Sequence, residues 1–357
     1  MGKHTKGDLK QMQSLPLRYK ILMTKQRIKD WYDYWDGQVY VSFSGGKDST
    51  VLLDIVRSMY PDVEAVFVNT GLEYPEIQKF VKTFDNVTIL RPKMRFDEVI
   101  STYGYPMISK AVANAVEAYN AKVRNGKPLD GVRVKQLLGT YVGTRNDGKK
   151  TKFDKSKYKP LLDLDFDVSD RCCGIMKKDP LKRWEKENKK YPFVATMADE
   201  SIMREAVWLR TGCNGFDMKR PMSKPMSFWT EQDVLQYIKE NNLPIVSVYG
   251  EIVYQDNPYQ MRIEEFGFEG CGRDKLVTTG NDRTGCIFCG FGCHLEKQTP
   301  TRFQRLKETH PRQYEFCIGG GEYDTDGKWK PNKEGLGLGH VFDELNKIYG
   351  DDFIKYK

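Results

Sequence analysis

A site for phosphate groups is indicated by six consecutive residues, Ser44-Gly45-Gly46-Lys47-Asp48-Ser49. Adjacent glycines allow a turn with positive φ, and they let an anion approach the backbone N–H groups closely. Lys47 adds a positive charge, whereas Asp48 is repelled by phosphate unless a cation such as Mg²⁺ lies between them. The spacing is shorter than that of the GxxxxGK[ST] phosphate loop. The simpler alternative is a strand–turn–helix connection with a polar cap.

A second set of residues could bind a metal or a cluster through sulfur. It consists of an adjacent pair and a CxxC turn: Cys172, Cys173, Cys286 and Cys289. A CxxC turn places two thiolates where both can face one metal or cluster, and a distant pair can complete four ligands. Cys271 and Cys293 lie near the turn as reserve ligands. Free structural cysteines, a zinc site that includes His294, and an iron–sulfur cluster all remain open, because spacing alone does not separate them.

The phosphate loop must be held by the elements on either side of it. Apolar residues alternate with others over 39–43, which predicts a strand directly before the loop. The spacing of apolar residues over 51–56 predicts a helix that begins at Lys47. The first N–H groups of a helix have no partner within it, and its dipole adds positive charge at that end. The loop is therefore expected to bind anions.

Further strands are predicted at 64–69 and 87–90, with helices between them. This alternation predicts an α/β fold with a doubly wound, mainly parallel sheet and right-handed crossovers. Ligands of such sheets bind at the carboxyl ends of the strands. The turn at 69–73 follows the second strand, so we expect it to lie at the same edge as the loop.

The chain is predicted to have three parts, namely an N-terminal arm and helix (1–36), a nucleotide-binding α/β domain (37–245) and a Cys-rich, helical and irregular C-terminal region (246–357). Within the first part, residues 1–15 are expected to be a flexible arm. Polar residues over 124–160 predict a basic insertion in the α/β domain.

Several helices and loops follow from local signals. One helix is predicted to begin at Pro180 and another to cover 199–210. Thr230 is expected to cap a helix that carries Asp233 at its third position. The Gly-rich residues 249–280 are predicted to be irregular.

Composition limits the class of protein. Of the 357 residues, 39% are hydrophobic and 30% are charged, and the net charge is +8. No apolar run approaches the roughly 18 residues of a membrane span, and the basic first 20 residues contain no apolar segment. We therefore expect a cytoplasmic protein with no membrane partner and with reduced cysteines. The positive charge suits nucleotides or a nucleic acid.

Several segments, taken together, resemble one enzyme family. Besides the loop, they are Asn69-Thr70-Gly71, Cys172-Cys173 with Lys177, Pro180 and Leu181, the helix Trp229-Thr230-Glu231-Gln232-Asp233-Val234-Leu235-Gln236-Tyr237-Ile238, the following Asn242-Leu243-Pro244, and Thr284-Gly285-Cys286-Ile287-Phe288-Cys289. They occur in the order typical of the sulfonucleotide reductases, the phosphoadenosine phosphosulfate (PAPS) reductase family. That family is part of the adenine nucleotide α-hydrolase-like superfamily, whose SGGxDS loop binds pyrophosphate.

The resemblance implies ligands and the residues that bind them. It implies Mg-ATP or a (phospho)adenylyl sulfate, bound by Ser44, Gly45, Gly46, Lys47, Asp48, Ser49, Asn69, Thr70, Gly71 and Arg204. Cluster-bearing members of the family hold a [4Fe–4S] cluster through the CC pair and the CxxC turn. This implies that the cluster ligands are Cys172, Cys173, Cys286 and Cys289, with zinc as the alternative.

Two departures from the family pattern bear on the reaction. The reductases carry a catalytic cysteine in a C-terminal ECG(I/L)H motif, but this chain has no cysteine after Cys317. The nearest similar segment is Gly292-Cys293-His294, directly beside the CxxC turn. Met197 also stands where the family commonly has an arginine. Reduction of a sulfonucleotide needs a thiolate nucleophile and tight recognition of sulfate and phosphate, so both departures count against it.

Three hypotheses follow. The first is an enzyme that cleaves ATP between the α- and β-phosphates and couples this to sulfur transfer, with tRNA or DNA as acceptor and a cysteine desulfurase as sulfur donor. The second is a thioredoxin-dependent (phospho)adenylyl sulfate reductase. For these, the predicted catalytic residues are Lys47, Asp48, Cys293 and Cys317. The third is a regulator that binds nucleotide or nucleic acid without turnover. The sequence does not define the oligomeric state.

Overall fold

The computed structural model describes residues 4–142, 151, 153–255 and 275–357 of the chain. Contacts divide the chain into two units, each of which gathers stretches that are far apart in sequence. Unit 1 consists of Met1–Asn69, Glu73–Arg91 and Leu181–Gly285, and unit 2 of Thr70–Leu72, Pro92–Pro180 and Cys286–Lys357. The predicted three-part division stays a prediction.

Strands and helices are numbered here along the described residues. The strands are β1 Val39–Ser42, β2 Ala65–Val68, β3 Val87–Leu90, β4 Met107–Ile108, β5 Tyr191–Val194, β6 Asn214–Gly215, β7 Met222–Ser223, β8 Ile252–Gln255, β9 Lys275–Thr278, β10 Gly290–Phe291, β11 Glu322–Tyr323 and β12 Trp329–Lys330. The helices are α1 Lys6–Gln13, α2 Leu17–Tyr34, α3 Lys47–Met59, α4 Pro75–Val81, α5 Phe96–Tyr103, α6 Lys110–Arg124, α7 Val132–Leu138, α8 Arg171–Cys173, α9 Asp179–Asn188, α10 Ile202–Thr211, α11 Glu231–Glu240, α12 Arg302–Thr309, α13 Pro311–Ile318 and α14 Leu338–Tyr349.

The main sheet of unit 1 has the strand order β3-β2-β1-β5-β7-β6. The pairs from β3 to β7 are parallel, and β6 alone among these strands runs antiparallel to its neighbour. Val41 pairs with Ala65 on one side and with Phe193 on the other, and all three side chains are fully buried. The sheet confirms the predicted α/β fold, and β1 has a parallel neighbour on each side.

Unit 2 is mainly helical and contains short strand pairs. β4 pairs in parallel with β10, and β11 pairs with β12 in an antiparallel turn. A Cβ on Gly290 would lie 2.3 Å from the terminal methyl of Met107, so a larger residue there would displace the Met107 side chain. The side chains of Phe303 and Phe342 are buried together, with ring centres 4.8 Å apart.

Two predictions about irregular segments were wrong in part. The predicted arm contains helix α1, whose first turn is closed by a capping box between Thr5 and Asp8. The basic insertion stays a prediction; its described residues include α7 and a 3₁₀ turn at Ser156–Leu162, and residues 143–150 and 152 lie outside the described ranges. The segment predicted to be irregular contains the antiparallel hairpin β8–β9, and residues 256–274 lie outside the described ranges.

The helix predicted to begin at Pro180 begins earlier. Residues Arg171–Cys173 form α8, and a π-helical turn, Gly174–Lys178, leads into α9. Proline has no N–H, and its ring clashes with the carbonyl four residues before it in an α-helix. A wide turn before Pro180 removes this conflict, so the helix continues through the proline.

Helix α11 was predicted correctly, including its cap. The Thr230 hydroxyl accepts the Asp233 N–H, and the Asp233 carboxylate accepts the Thr230 N–H at 2.7 Å. The sequence did not reveal the second partner of Asp233. The ammonium of Lys20, on α2, donates to both carboxylate oxygens at 2.8 and 2.7 Å, and its side chain is 2% exposed. A buried pair of charges therefore joins α2 to α11.

We predict that Asp233→Ala lowers the free energy of unfolding by about 3–5 kcal/mol, because it leaves the Lys20 ammonium buried without its counter-charge. Urea unfolding followed by circular dichroism measures the change. Asp30→Ala is the control, because the Arg27–Asp30 pair is 39% exposed on both sides and is expected to contribute less than about 1 kcal/mol. Equal losses in the two variants would contradict the prediction.

Candidate functional site

The predicted phosphate loop lies at the carboxyl end of β1, at the start of α3. Gly45 has φ +70°, and a Cβ there would lie 2.8 Å from a methyl of Ile77 and 2.9 Å from a methyl of Val81. The first glycine is therefore required by both backbone conformation and packing. Gly46 is the N-cap residue of α3 and is followed directly by Lys47.

Hydrogen bonds within the loop fix its shape. The hydroxyls of Ser44 and Ser49 lie 3.0 Å apart, and the Ser49 hydroxyl also accepts the Ser44 N–H at 3.2 Å. Both Ser49 and Thr50 donate their hydroxyl protons to the Gly46 carbonyl, at 2.9 and 3.0 Å. These four hydrogen bonds hold Ser44, Gly46, Ser49 and Thr50 in one compact turn.

Lys47 is buried and held by acceptors within unit 1. Its side chain is 4% exposed, and its ammonium donates to a carboxylate oxygen of Glu231 at 2.7 Å and to the Asp282 carbonyl at 2.6 Å. The ring of Tyr249 lies 5.4 Å from the same nitrogen. The sequence indicated Lys47 as a positive charge of the loop, but it did not reveal that Glu231 and the Asp282 carbonyl accept its hydrogen bonds.

Asp48 has an unusual environment for a carboxylate. Its Oδ1 atom is buried and has no hydrogen-bond partner among the described residues. Burial raises the pKa of Asp48, the charge of Glu231 raises it further, and the positive charges of Lys47, Arg283 and Arg204 lower it. A buried acceptor without a donor is destabilising by about 1–3 kcal/mol. This oxygen therefore points to a cation or a donor that a ligand would supply.

Positive side chains of unit 1 gather near Asp48. Burial lowers the pKa of Arg204, and the charge of Arg283 lowers it further. Burial and the charges of Arg204 and Arg210 likewise lower the pKa of Lys224. Arg204 also pairs with Glu200, which balances part of this positive charge. Of these residues the sequence had indicated Arg204, because a basic position of the family pattern falls there.

The turn after β2 was also predicted to bind nucleotide. The Asn69 N–H donates to the Leu90 carbonyl at 2.9 Å, which continues the pairing of β2 with β3. The Thr70 hydroxyl accepts the Leu72 N–H at 3.2 Å. Gly71 has φ +76°, and a Cβ there would meet no atom within 4 Å. Asn69 belongs to unit 1, whereas Thr70 and Gly71 belong to unit 2.

The predicted sulfur ligands lie in unit 2 and influence one another. The pKa of Cys173 is lowered, first because the Cys172 thiol donates a hydrogen bond to it and also because of the charges of Lys110 and Lys177. The same hydrogen bond, together with burial and the charges of Cys173, Cys289 and Cys286, raises the pKa of Cys172. Within the described ranges, however, no group of three or more His, Cys, Asp or Glu side chains is arranged to hold one metal ion.

The CxxC turn is held by an arginine that the sequence analysis missed. Arg302 donates through Nη1 to the carbonyls of Cys289 and Phe291, both at 3.1 Å, and it also pairs with Glu296. Burial raises the pKa of Cys289. Arg302 lies at the start of α12, outside every motif, so its role could be found only from the folded structure.

The two predicted nucleophiles have surroundings that disfavour this role. Cys293 is 5% exposed, its thiol donates to the Gly290 carbonyl at 2.9 Å, and burial raises its pKa to about 12. Cys317 is fully buried, and burial raises its pKa well above the usual value. Attack by sulfur requires an accessible thiolate. Cys271, a reserve ligand, lies outside the described ranges.

Comparison with known proteins assigns the family. A sequence model of the phosphoadenosine phosphosulfate reductase domain matches residues 38–107 and 141–290. The chain belongs to this family. The matched residues contain the phosphate loop, the cysteine pair and the CxxC turn, whereas Cys293 and Cys317 lie outside them.

Individual relatives of the PAPS reductase family match parts of the chain. A phosphoadenosine 5′-phosphosulfate reductase of Gloeobacter violaceus is 24% identical over 208 residues, which cover 58% of this chain and 63% of the relative. Two uncharacterized proteins of Methanocaldococcus jannaschii are 32% and 37% identical, over 30% and 22% of this chain and 29% and 18% of their own lengths. The chain thus spans less than two thirds of each of these relatives.

Among solved structures, a PAPS reductase of Candida auris in complex with phosphate is similar at 15% identity and a TM-score of 0.35, over 72% of this chain and 96% of the other. A similarity this weak carries no weight for the fold, which follows from the sheet described above. Separately, none of the helices in the described ranges is long and apolar enough to cross a membrane.

We predict that Gly45→Ala destabilises the protein by about 2–5 kcal/mol, because the left-handed conformation costs about 1–2 kcal/mol and the clash with Ile77 and Val81 about 1–3 kcal/mol. Gly126→Ala is the control. Gly126 has φ +59° with no atom within 4 Å of a Cβ, so only the first cost of about 1–2 kcal/mol applies. Thermal unfolding compares the two. A Gly126 variant as unstable as the Gly45 variant would contradict the packing argument.

Proposed function

We propose that this member of the PAPS reductase family cleaves Mg-ATP between the α- and β-phosphates and uses the adenylated intermediate for sulfur transfer. The observation that carries the proposal is the buried Oδ1 atom of Asp48, which has no partner among the described residues. A carboxylate beside a phosphate site fits Mg²⁺, because this ion is bound through one or two carboxylates together with substrate phosphates. Bound there, Mg²⁺ would neutralise charge on the phosphate oxygens.

The residues of unit 1 would each act on the polyphosphate. A nucleophilic oxygen of the acceptor bonds to the α-phosphorus, the bond to the bridging oxygen breaks, and pyrophosphate leaves. The hydroxyls of Ser44 and Ser49 and the first N–H groups of α3 would hold the departing pyrophosphate. Lys47, Arg204 and Arg283 would stabilise the negative charge that develops on it.

The cysteines of unit 2 are proposed to hold a [4Fe–4S] cluster. The proposal is supported by the residue types, because Cys172, Cys173, Cys286 and Cys289 all lie in unit 2 and thiolates are the ligands of such clusters. A cluster would supply an iron atom or a sulfide for the transfer of sulfur. Arg302 would keep the CxxC turn in place. Zinc is the alternative occupant.

Reduction of a (phospho)adenylyl sulfate is the second candidate. It is favoured by the match to the PAPS reductase domain and by the positive charges of Arg204, Arg283 and Lys224, which suit a ligand with several anionic groups. It requires an accessible thiolate, and the surroundings of Cys293 and Cys317 do not supply one. Thioredoxin would be the reductant in that case.

For the first candidate, sulfur transfer, the positive net charge suits tRNA or DNA as acceptor, and a cysteine desulfurase would be the donor.

We predict that Lys47→Ala lowers the rate of pyrophosphate release from ATP by about 10²–10³-fold, the effect of removing one donor that stabilises transition-state charge. Release is measured with tRNA or DNA present as acceptor. Lys29→Ala, at an exposed i,i+4 pair with Asp33, is the control and should leave the rate unchanged. Formation of sulfite from adenylyl sulfate or PAPS with thioredoxin, without pyrophosphate release from ATP, would replace the first function with the second. If neither pyrophosphate nor sulfite forms, the result would favour a regulator without turnover.

We predict that the anaerobically purified protein contains iron and sulfide and absorbs broadly near about 400 nm. Serine in place of any one of Cys172, Cys173, Cys286 or Cys289 should lower the iron content, because a thiolate ligand is lost. Cys213→Ser is the control, because Cys213 lies in unit 1 and accepts a hydrogen bond from Ser227. Zinc in place of iron, or an iron content that none of the four substitutions changes, would contradict the cluster.

A further inference from the structure

The hydroxyl of Tyr249 lies where the loop would bind an anion. The backbone N–H of Lys47, the first residue of α3, donates to this hydroxyl at 3.2 Å. N–H groups of a first helical turn are the donors that bind phosphate oxygens in such loops. Tyr249 is 2% exposed. The neutral hydroxyl oxygen of Tyr249 thus occupies the position that a phosphate oxygen of a ligand would take.

Thr284 fixes the tyrosine in this position. The Tyr249 and Thr284 hydroxyls lie 2.7 Å apart. A Cβ on Gly46 would lie 3.1 Å from the first of these oxygens and 3.2 Å from the second. Both hydroxyls are therefore packed against the glycine that would otherwise be open to a phosphate group.

The side chain of Lys47 is occupied as well. Its ammonium is held by Glu231 at 2.7 Å and by the Asp282 carbonyl at 2.6 Å. The Glu231 side chain is 47% exposed, so it can turn towards solvent when its partner changes. The backbone N–H of Lys47 and two of the three N–H groups of its ammonium are thus already used.

Most of these acceptors come from the base of one hairpin. Tyr249 precedes β8, and Asp282 and Thr284 follow β9. The hairpin base is joined by backbone bonds of 2.8 Å from Gly280 to the Tyr249 carbonyl and from Asn281 to the Val248 carbonyl. Tyr249, Asp282 and Thr284 are therefore linked and are expected to move together.

We propose that Tyr249, Thr284 and Glu231 close the phosphate loop, and that a nucleotide binds by displacing the Tyr249 hydroxyl and the Glu231 carboxylate from Lys47. This inference rests on the proposed function, because it takes the loop as the site of the nucleotide phosphates. The apparent affinity of a ligand falls in proportion to the fraction of open loop. Tyr249 and Glu231 therefore set the affinity of the loop, and only a ligand that makes many contacts binds tightly.

Calorimetric titration with inorganic pyrophosphate, ATP and PAPS tests this closure. Tyr249→Phe keeps the ring and removes the hydroxyl, so we expect each ligand that binds to do so about 3- to 10-fold more tightly, as for the loss of one competing hydrogen bond. Glu231→Gln removes the competing charge and should also tighten binding. Tyr254→Phe is the matched control, because Tyr254 lies on the same hairpin and is 54% exposed, and it should leave the affinity unchanged.

The outcomes separate this inference from the proposed function. If the wild-type protein binds ATP and Tyr249→Phe binds it equally or more weakly, the closure is wrong and the proposed function is unaffected; binding of PAPS without ATP would favour the second candidate function instead. If only the variants bind, the closure is supported. If no form binds any of the three ligands, both are overturned.

Hydrogen–deuterium exchange of the wild-type protein gives a second measurement that needs no variant. Displacement of Tyr249 predicts faster exchange of the amides at 246–251 when pyrophosphate is added, because the base of the hairpin leaves the loop. Slower exchange there would mean that the tyrosine clamps the ligand instead, and it would overturn the closure.

Discussion

A buried ammonium group needs an acceptor in every state of the protein, and this requirement governs unit 1. Lys47 lies at the start of α3 because the loop turns there, and the turn is tight because Gly45 packs against Ile77 and Val81. With the lysine buried at this point, α11 must present Glu231 and the β8–β9 hairpin must present a carbonyl. Elements that are far apart in sequence are thus positioned by one charge. Removing that charge from water is costly unless it is paired and hydrogen-bonded.

The cysteines of unit 2 depend on a different kind of constraint. Adjacent residues of an α-helix point about 100° apart, so two neighbouring cysteines face one ligand only if the helix is adjusted locally. Here a π-helical turn follows Cys173 directly, and such turns occur frequently at functional sites. The same turn accommodates Pro180, so this irregularity lies between the cysteine pair and the proline.

Features that depend on residues close together in the chain could be predicted from the sequence. The strands β1 to β3 were visible as short apolar runs, and the Thr230 cap was visible because its partner lies three residues away. Contacts between distant residues left no such signal. The pairing of β4 with β10 involves two residues on each strand, and Lys20 meets Asp233 across 213 positions. Helix α1 was missed because only Leu9 in it is buried, although Thr5 and Asp8 had the spacing of a capping box.

The positive residues near Asp48 have a consequence for the speed of association. In the closed loop the charge of Lys47 is balanced by Glu231, so it adds little to the field that a distant anion experiences. Arg283, Lys224 and Arg204, which itself pairs with Glu200, then add positive charge in this part of unit 1. Such fields raise the rate of encounter with charged ligands, and salt screens them over a Debye length of about 10 Å at 0.1 M ionic strength. The arginines would therefore control how fast a nucleotide arrives, whereas Lys47 would act only after arrival.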